Sequence, residues 1–263
     1  IHYDGDLPGR SGLGSSSAFT VGLLNALYAY QGKIVPKSQL AIESIKIEQD
    51  LIKETVGSQD QVNAAHGGLN RIQFKQSGDI FVDPITISKE RIQALEDCLM
   101  LFYTGIMRTA DKVAKSYVED IQANEKQLIL MHAMVSEAIE LINNGDLDSF
   151  GMLMNEAWQK KRSLSKLVSN SQVDEIYTAA MSVGALGGKL SGAGGGGFLL
   201  LYVPVEKQPY VKKKLSHLLH VPFSFDTNGT QIIFFDQHRE YIEEDKNRVK
   251  NSIQGFVELN ELD

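Results

Sequence analysis

The chain has 263 residues, of which 43% are hydrophobic and 22% charged, a balance typical of globular proteins that excludes disordered and collagen-like chains. Its 26 Lys and Arg against 33 Asp and Glu give a net charge of −7, so we expect no nucleic-acid partner. No apolar run approaches the length of a membrane helix and no signal peptide is visible, which predicts a cytoplasmic protein without a membrane partner. The single cysteine, Cys98, excludes an internal disulfide framework.

Helix and strand patterns alternate in the first part of the chain. Apolar residues spaced by three and four predict helices over residues 18–30 and 38–53. Short strands are predicted at 71–74 and 80–82, on either side of a Ser77-Gly78-Asp79 turn, and a buried strand at 99–103. This first part therefore reads as a mixed α and β structure.

The second part is rich in helical signal. Residues 111–182 are predicted to be almost entirely helical, followed by a strand at 198–203 and a helix at 207–219. Asn228-Gly229 is a strong turn signal and predicts a β-hairpin around it. The closing residues 236–250 are highly charged and are expected to form a solvated helix or tail.

A first glycine segment, residues 8–18, leads directly into the first predicted helix. It reads Pro-Gly-Arg-Ser-Gly-Leu-Gly-Ser-Ser-Ser-Ala, and such a loop presents unpaired backbone N–H groups at the positive end of the helix dipole. Glycines at 12 and 14 let the backbone approach a phosphate, and the serine hydroxyls can donate to phosphate or ligate a hard cation. The alternative is a helix merely capped by serines after a glycine turn.

A second glycine segment, residues 189–197, contains Gly-x-Gly-x-x-Gly at positions 192, 194 and 197. In a dinucleotide-binding fold this fingerprint opens a helix, but here it precedes the predicted strand 198–203, so that reading is rejected. A glycine run between two strands indicates either a tight crossing or close approach to another loop or a ligand. A purely structural use of the segment remains equally open.

Two carboxylates and one arginine are candidates for chemistry. Glu48 lies near the middle of the apolar arc of its predicted helix, so it needs a cation or a metal as partner unless it sits at the rim of the core. Asp60, in Gly57-Ser-Gln-Asp-Gln61, can act as acid, base or metal ligand, or can simply cap a helix or turn. Arg108 follows a strand end, where sites are often built, although a single arginine is usually just solvated.

The two glycine segments, in this order, resemble the phosphate loop and the third motif of the GHMP small-molecule kinases. The resemblance implies that Asp60 is the base, that Ser16 and Glu48 ligate Mg²⁺, and that Gln59, Arg108 and Gly194 contact the substrate. It also implies ATP as cofactor, held by residues of both segments: Pro8, Gly12, Leu13, Gly14, Ser15, Ser16, Ser17, Gly192, Ala193, Gly194 and Gly195.

The fold that the resemblance implies is α+β with two domains. An N-terminal α/β domain at 1–92 would carry the phosphate loop in a left-handed βαβ unit, and 93–236 would form a ferredoxin-like domain with added helices, followed by a charged tail at 237–263. The family's first motif has no counterpart in this sequence, so the resemblance also leads us to expect a preceding N-terminal portion.

Within the superfamily, the sequence is most similar to the D-glycero-D-manno-heptose 7-phosphate kinases, through phrases such as Gly14-Ser-Ser-Ser-Ala18 and Gly184-Ala-Leu-Gly-Gly-Lys189. This implies phosphorylation of an anomeric hydroxyl, in the biosynthesis of nucleotide-activated heptose and surface polysaccharide, by a monomer or homodimer with a small sugar or sugar phosphate as partner. The alternatives are a kinase of galactose or fucose type, a decarboxylase of the same fold, and a catalytically silent nucleotide-binding regulator.

Overall fold

The structure is a computed structural model that describes residues 1–5, 12–106, 110–119, 121–236 and 246–247. Ile1–Gln231 form one compact unit and Ile232–Asp263 a second. In the second unit the described residues 232–236 have no regular structure and residues 246–247 are helical. The division at residues 92 and 93 stays a prediction, and the predicted tail at 237–263 lies almost wholly outside the described residues.

Three helices and a hairpin form the first part of the larger unit. They are α1 (Ser15–Tyr30), α2 (Lys37–Lys46), α3 (Gln59–His66), and the antiparallel strands β1 (Asn70–Phe74) and β2 (Ile80–Pro84). The chain leaves α2 as a π-helix, Ile47–Leu51, and the left-handed backbone of Lys53 (φ 62°) marks the bend after it. The apolar stripes of the helices meet in a small core of Val21, Leu40, Ala41, Val62 and Ala65.

The second part places helices against a four-stranded antiparallel sheet. Its elements in order are α4 (Lys89–Asp97), β3 (Leu99–Tyr103), α5 (Ala110–Val118), α6 (Ile121–Asn143), α7 (Leu147–Ser163), α8 (Ser171–Met181), β4 (Gly187–Leu190), β5 (Phe198–Tyr202), α9 (Gln208–Lys214) and β6 (Leu219–Val221). The strand order is β4-β5-β3-β6, which is the ferredoxin-like arrangement with α5 to α8 inserted after its first strand. The predicted α+β class is therefore confirmed.

The sheet carries the larger core. Phe102, Leu199 and Leu201 from the strands pack with Trp158 of α7, and all four side chains are almost completely buried. Asp146 and Asn170 cap α7 and α8 by accepting from the backbone N–H groups of Ser149 and Val173, which sets where these helices begin.

The helix α7 lies unusually close to the sheet. A Cβ on Gly187 of β4 would collide with the carbonyl oxygen of Gly151 in α7, and a Cβ on Gly151 would collide with the ring of Tyr202. Only glycine permits this approach of helix backbone to strand, so these two positions fix where α7 sits. Among the described residues, each helix is too short or too polar to cross a membrane.

Two predicted elements differ from the structure. The helix predicted over 207–219 ends at Lys214, because Leu219–Val221 pair as an edge strand with β3. The predicted hairpin is wrong, since the described residues 222–231 contain no strand. The turn does form, with the N–H of Gly229 donating to Asp226, but Thr230 N–H donates to Ala64 at the end of α3 instead of to a partner strand.

Candidate active site

The first glycine segment ends at the open N-terminus of α1. Gly14 occupies the N-cap position in the left-handed conformation (φ 71°, ψ 21°), no side chain caps the helix, and its described first turn carries no acidic residue. The first backbone N–H groups of α1 therefore point out of the helix at its positive end, which suits a phosphate. Pro8 falls outside the described residues, and the described residues 1–5 show no strand before this loop.

The two glycine segments touch each other. A Cβ on Gly12 would lie 3.0 Å from the carbonyl oxygen of Ser191, and a Cβ on Gly192 would lie 2.9 Å from the carbonyl oxygen of Gly12. Both glycines have positive φ, 82° and 66°. The close approach that the second segment predicted is thus present, and it brings residues almost 180 positions apart in the chain together.

The rest of the second segment is held by the protein itself. Gly195 N–H donates to Val168 at 2.7 Å and Gly197 N–H donates to Ile106 at 2.8 Å. A Cβ on Gly194 would lie only 2.6 Å from the Val168 carbonyl oxygen, so packing alone requires glycine there. The packing of the protein alone therefore explains why residue 194 is glycine. Gly192, in contrast, contacts the first glycine segment.

Asp60 lies directly against the first segment. It is in the first turn of α3, and a Cβ on Gly14 would be 3.3 Å from both Cβ and Cγ of Asp60. Ser58, not Asp60, occupies the N-cap position of α3, so the capping alternative does not describe Asp60. The predicted substrate residue Gln59 precedes Asp60 in the same turn, whereas Arg108 lies outside the described residues.

The surroundings of Asp60 raise the pKa of its carboxyl group. Burial raises the pKa of its carboxyl, and the charge of Glu48 raises it further. Hydrogen bonding to Gln59 and the ammonium groups of Lys189 and Lys161 act in the opposite direction, but the net pKa remains raised. The carboxylate is therefore more basic than an ordinary aspartate, as a proton acceptor at neutral pH requires.

Lys189 and Lys161 are site residues that the sequence did not single out. Lys189 lies in β4, and burial lowers the pKa of its ammonium, while the charge of Asp60 opposes that shift. Lys161, in the last turn of α7, donates to the carbonyl oxygen of Gly192 at 2.5 Å. Helical spacing marks Lys161 only as a polar position, so no local signal could have found it.

Glu48 is a buried carboxylate within the π-helix. It is 1% exposed, and its oxygens accept hydrogen bonds from Ser17 Oγ at 2.9 Å, from Thr20 Oγ1 at 3.3 Å and from Gln61 Nε2. The predicted ligand Ser16 is exposed one position earlier, and its carbonyl accepts from Thr20 Oγ1. The structure thus places Glu48 at the phosphate loop, with Ser17 as its direct hydroxyl contact.

The residues around Glu48 fit a hard cation. Its donors among the described residues are all uncharged, so none of them compensates the buried carboxylate. Gln61 Oε1 beside it is buried, and within the described part of the chain it has no hydrogen-bond partner. The described residues contain no cluster of three or more His, Cys, Asp or Glu that could hold a metal. One carboxylate with hydroxyl oxygens matches Mg²⁺, which is usually bound by one or two carboxylates together with phosphates of the substrate.

Comparisons with known proteins identify the family of the chain. Family models of the GHMP kinases N terminal domain and of the GHMP kinases C terminal match residues 1–68 and 138–211. The chain is 31% identical over 236 residues to a Campylobacter jejuni D-glycero-alpha-D-manno-heptose 7-phosphate kinase, covering 88% of this chain and 69% of that protein. It is 29% identical over 223 residues to a Bacteroides fragilis L-fucokinase/L-fucose-1-P guanylyltransferase, covering 81% of this chain and 23% of that protein.

A solved Campylobacter jejuni structure superimposes with a TM-score of 0.65 at 30% identity, over 85% of this chain and 65% of that one. The chain thus spans about two thirds of that structure. The matched domains are those of a class of phosphotransferases that act on an alcohol group. The chain belongs to the GHMP kinase family, whose members use ATP.

Proposed function

We propose that this protein is an ATP- and Mg²⁺-dependent sugar kinase whose substrate is D-glycero-D-manno-heptose 7-phosphate, phosphorylated at its anomeric hydroxyl. The observation that carries the proposal is the contact of Asp60 with Gly14, at the point where the two glycine segments meet. The choice of sugar is supported by the 31% identical heptose 7-phosphate kinase. The fucokinase relative supports fucose as the alternative substrate.

Backbone groups of the first glycine segment would bind the nucleotide phosphates. The N–H groups of the first turn of α1 are aligned by the helix, so they stabilise negative charge without a cationic side chain. Gly12 and Gly14 keep this surface free of Cβ atoms. Gly192 would border this phosphate-binding surface on its other side. Phosphoryl transfer depends mainly on holding the nucleotide phosphates in position.

Glu48 would hold Mg²⁺ together with a serine hydroxyl, and Ser16 is the predicted second ligand. Ser17 Oγ and Gln61 Nε2 donate to the Glu48 carboxylate and so fix its orientation. When bound, the ion supplies positive charge at the phosphate oxygens of ATP. This supply of charge reconciles an acidic protein with an anionic cofactor.

Asp60 would accept the proton of the attacking sugar hydroxyl. Its raised pKa makes it a better proton acceptor, while the charges of Lys189 and Lys161 act against the rise. A positioned base contributes about 10²–10⁴-fold to a rate. Gln59, Arg108 and Gly194 stay the predicted substrate contacts, and of these Gln59 borders Asp60 in the same helical turn.

The test is ADP release with heptose 7-phosphate, fucose, galactose and mevalonate in turn, with and without Mg²⁺. We expect turnover with heptose 7-phosphate, a loss of about 10²-fold or more in Asp60→Asn, and unchanged ATP affinity in that variant. Asp50→Asn is the matched control, because Asp50 is an exposed aspartate of the π-helix. Equal turnover in Asp60→Asn would contradict the assignment of the base, and ATP binding without turnover on any sugar would favour the regulator.

A further inference from the structure

Lys161 connects the last turn of α7 to the second glycine segment. It lies in the last turn of α7, and its ammonium donates to the main-chain carbonyl oxygen of Gly192 at 2.5 Å. The neighbouring Lys160 shows the ordinary use of such a residue, an i,i+4 ion pair with the largely exposed Glu156 at 3.1 Å. Two adjacent lysines thus have different partners, one on the helix itself and one in the second glycine segment.

The carbonyl that Lys161 holds belongs to the residue at the contact between the two segments. Gly192 is the position whose Cβ would meet Gly12 at 2.9 Å. The far side of the segment is fixed through Gly195 and Gly197 by main-chain hydrogen bonds to Val168 and Ile106. Lys161 therefore anchors the near side, which faces the open N-terminus of α1.

The helix that carries Lys161 is itself firmly placed. Gly187 and Gly151 let the backbones of β4 and α7 approach, and Trp158, one turn before Lys161, is 1% exposed in the core. Arg162 pairs with Asp174 of α8 at 2.6 Å. Because α7 is held by β4 and by α8, the hydrogen bond from Lys161 fixes the position of Gly192 relative to α7.

We propose that Lys161 is a positioning residue that holds the second glycine segment against the first and so keeps the nucleotide site assembled. The part of this inference that concerns nucleotide rests on the proposed function, whereas the part that concerns the contact between the segments does not. The charge of Lys161 also reaches Asp60, where it opposes the raised pKa of the carboxyl. Methionine in place of Lys161 would keep a side chain of similar length packed on α7. It would lose both the hydrogen bond to Gly192 and the positive charge near Asp60.

Hydrogen exchange of the ligand-free protein tests the contact by itself. In Lys161→Met we expect the hydrogen-bonded backbone amides of Ser191, Gly195 and Gly197 to exchange about tenfold faster, because a charge-assisted hydrogen bond that holds their segment is lost. Lys161→Arg should restore part of the protection, and Lys160→Met should leave it unchanged. Unchanged exchange in Lys161→Met would overturn the proposal, and so would faster exchange throughout β3 and β5, which would assign Lys161 a general structural role.

Measurement of ATP binding tests whether the Lys161 contact keeps the nucleotide site assembled. We expect the Kd for ATP, measured by calorimetry, and the KM for ATP to rise about tenfold in Lys161→Met, with a smaller change in kcat and none in the thermal midpoint. An unchanged Kd would overturn the role in assembling the nucleotide site. If the wild-type protein released no ADP with any sugar, the proposed function would fail, while the exchange experiment would still decide the role of Lys161.

Discussion

Asp60 occupies a place where its ionised form is disfavoured, because burial and the charge of Glu48 raise its pKa. In the unfolded chain the carboxyl has its ordinary pKa. Its contribution to stability is therefore present below that ordinary value and is lost as the pH rises through the raised value. Above the raised value the folded protein carries a carboxylate that costs stability, which is common for residues kept for function.

Asp60→Asn should therefore raise the thermal midpoint at pH 7, because the amide removes a charge that burial disfavours. The gain should shrink as the pH is lowered toward 4, where protonated Asp60 resembles the amide. Thermal unfolding of both proteins across this range measures the effect. A lower midpoint for the variant at pH 7 would show that the carboxylate is paired more favourably than its surroundings indicate.

Glu48→Gln should raise the Mg²⁺ concentration needed for half-maximal ADP release by about tenfold or more, because the amide keeps the shape and loses the charge. Asp50→Asn is the control, since it removes an exposed carboxylate two positions further along the same π-helix. The measurement is a Mg²⁺ titration of the rate at saturating ATP. A titration curve that coincides with that of the wild-type protein would remove Glu48 from the metal site.

The sequence located the two candidate carboxylates better than it located their partners. Helical periodicity marked Glu48 as an acid inside an apolar arc, and the structure buries it. The π-helix that carries it changes how successive side chains are spaced around the axis, so its contact with Ser17 could not be derived from regular helical spacing. Lys161 reaches Gly192 only through the packing of α7, which no local pattern encodes.

At the level of elements, the N-terminus of α1 depends on Gly14, where two separate features require glycine. Gly14 has positive φ, and its missing Cβ leaves room for Asp60. Gly14→Ala should lower stability by about 1 kcal/mol or more through backbone strain and should weaken ATP binding. Calorimetry with ATP and denaturant unfolding measure the two effects.

Gly22→Ala is the matched control within the same helix. Its Cβ would meet nothing within 4 Å, and its φ is not positive, so alanine should stabilise the helix by about 0.5–1 kcal/mol. ATP binding should be unchanged in this control. Equal ATP affinity in the Gly14 and Gly22 variants would contradict the role assigned to the first glycine segment.

Elements with a strong local pattern were predictable, and those decided by tertiary pairing were not. The strands predicted at 99–103 and 198–203 and the helical stretch from 111 to 182 are present because their apolar runs and periodicities agree with their burial. The Asn228-Gly229 turn forms as its residues demand, but its flanks bond to α3 and not to each other. Turn chemistry alone does not supply the partner that a strand requires.

At the scale of the whole molecule, the site is assembled from distant parts of the chain. The first glycine segment precedes three helices, and the second joins two strands of the ferredoxin-like sheet. Their contact at Gly12 and Gly192 requires the segments around them to have folded and met. The sequence could indicate both segments and their family, but only the fold shows that they touch.

The net charge of −7 also belongs to this scale, because a chain with that charge repels an anionic substrate in general. We expect the site to offset this repulsion locally, with helix N–H groups, with Lys161 and Lys189 near Asp60, and with the proposed cation at Glu48. Binding of a doubly anionic sugar phosphate together with ATP is therefore expected to need Mg²⁺ throughout.

The most direct test of the account is the identity of the product made from ATP and D-glycero-D-manno-heptose 7-phosphate. Phosphorus NMR of the reaction mixture distinguishes a new phosphate ester at the anomeric carbon, through its coupling to the anomeric proton, from phosphate released to water. We predict a 1,7-bisphosphate that forms with Mg²⁺ and that forms more slowly, by about 10²-fold or more, with Asp60→Asn. Release of inorganic phosphate alone, or a phosphate ester at another carbon, would contradict it.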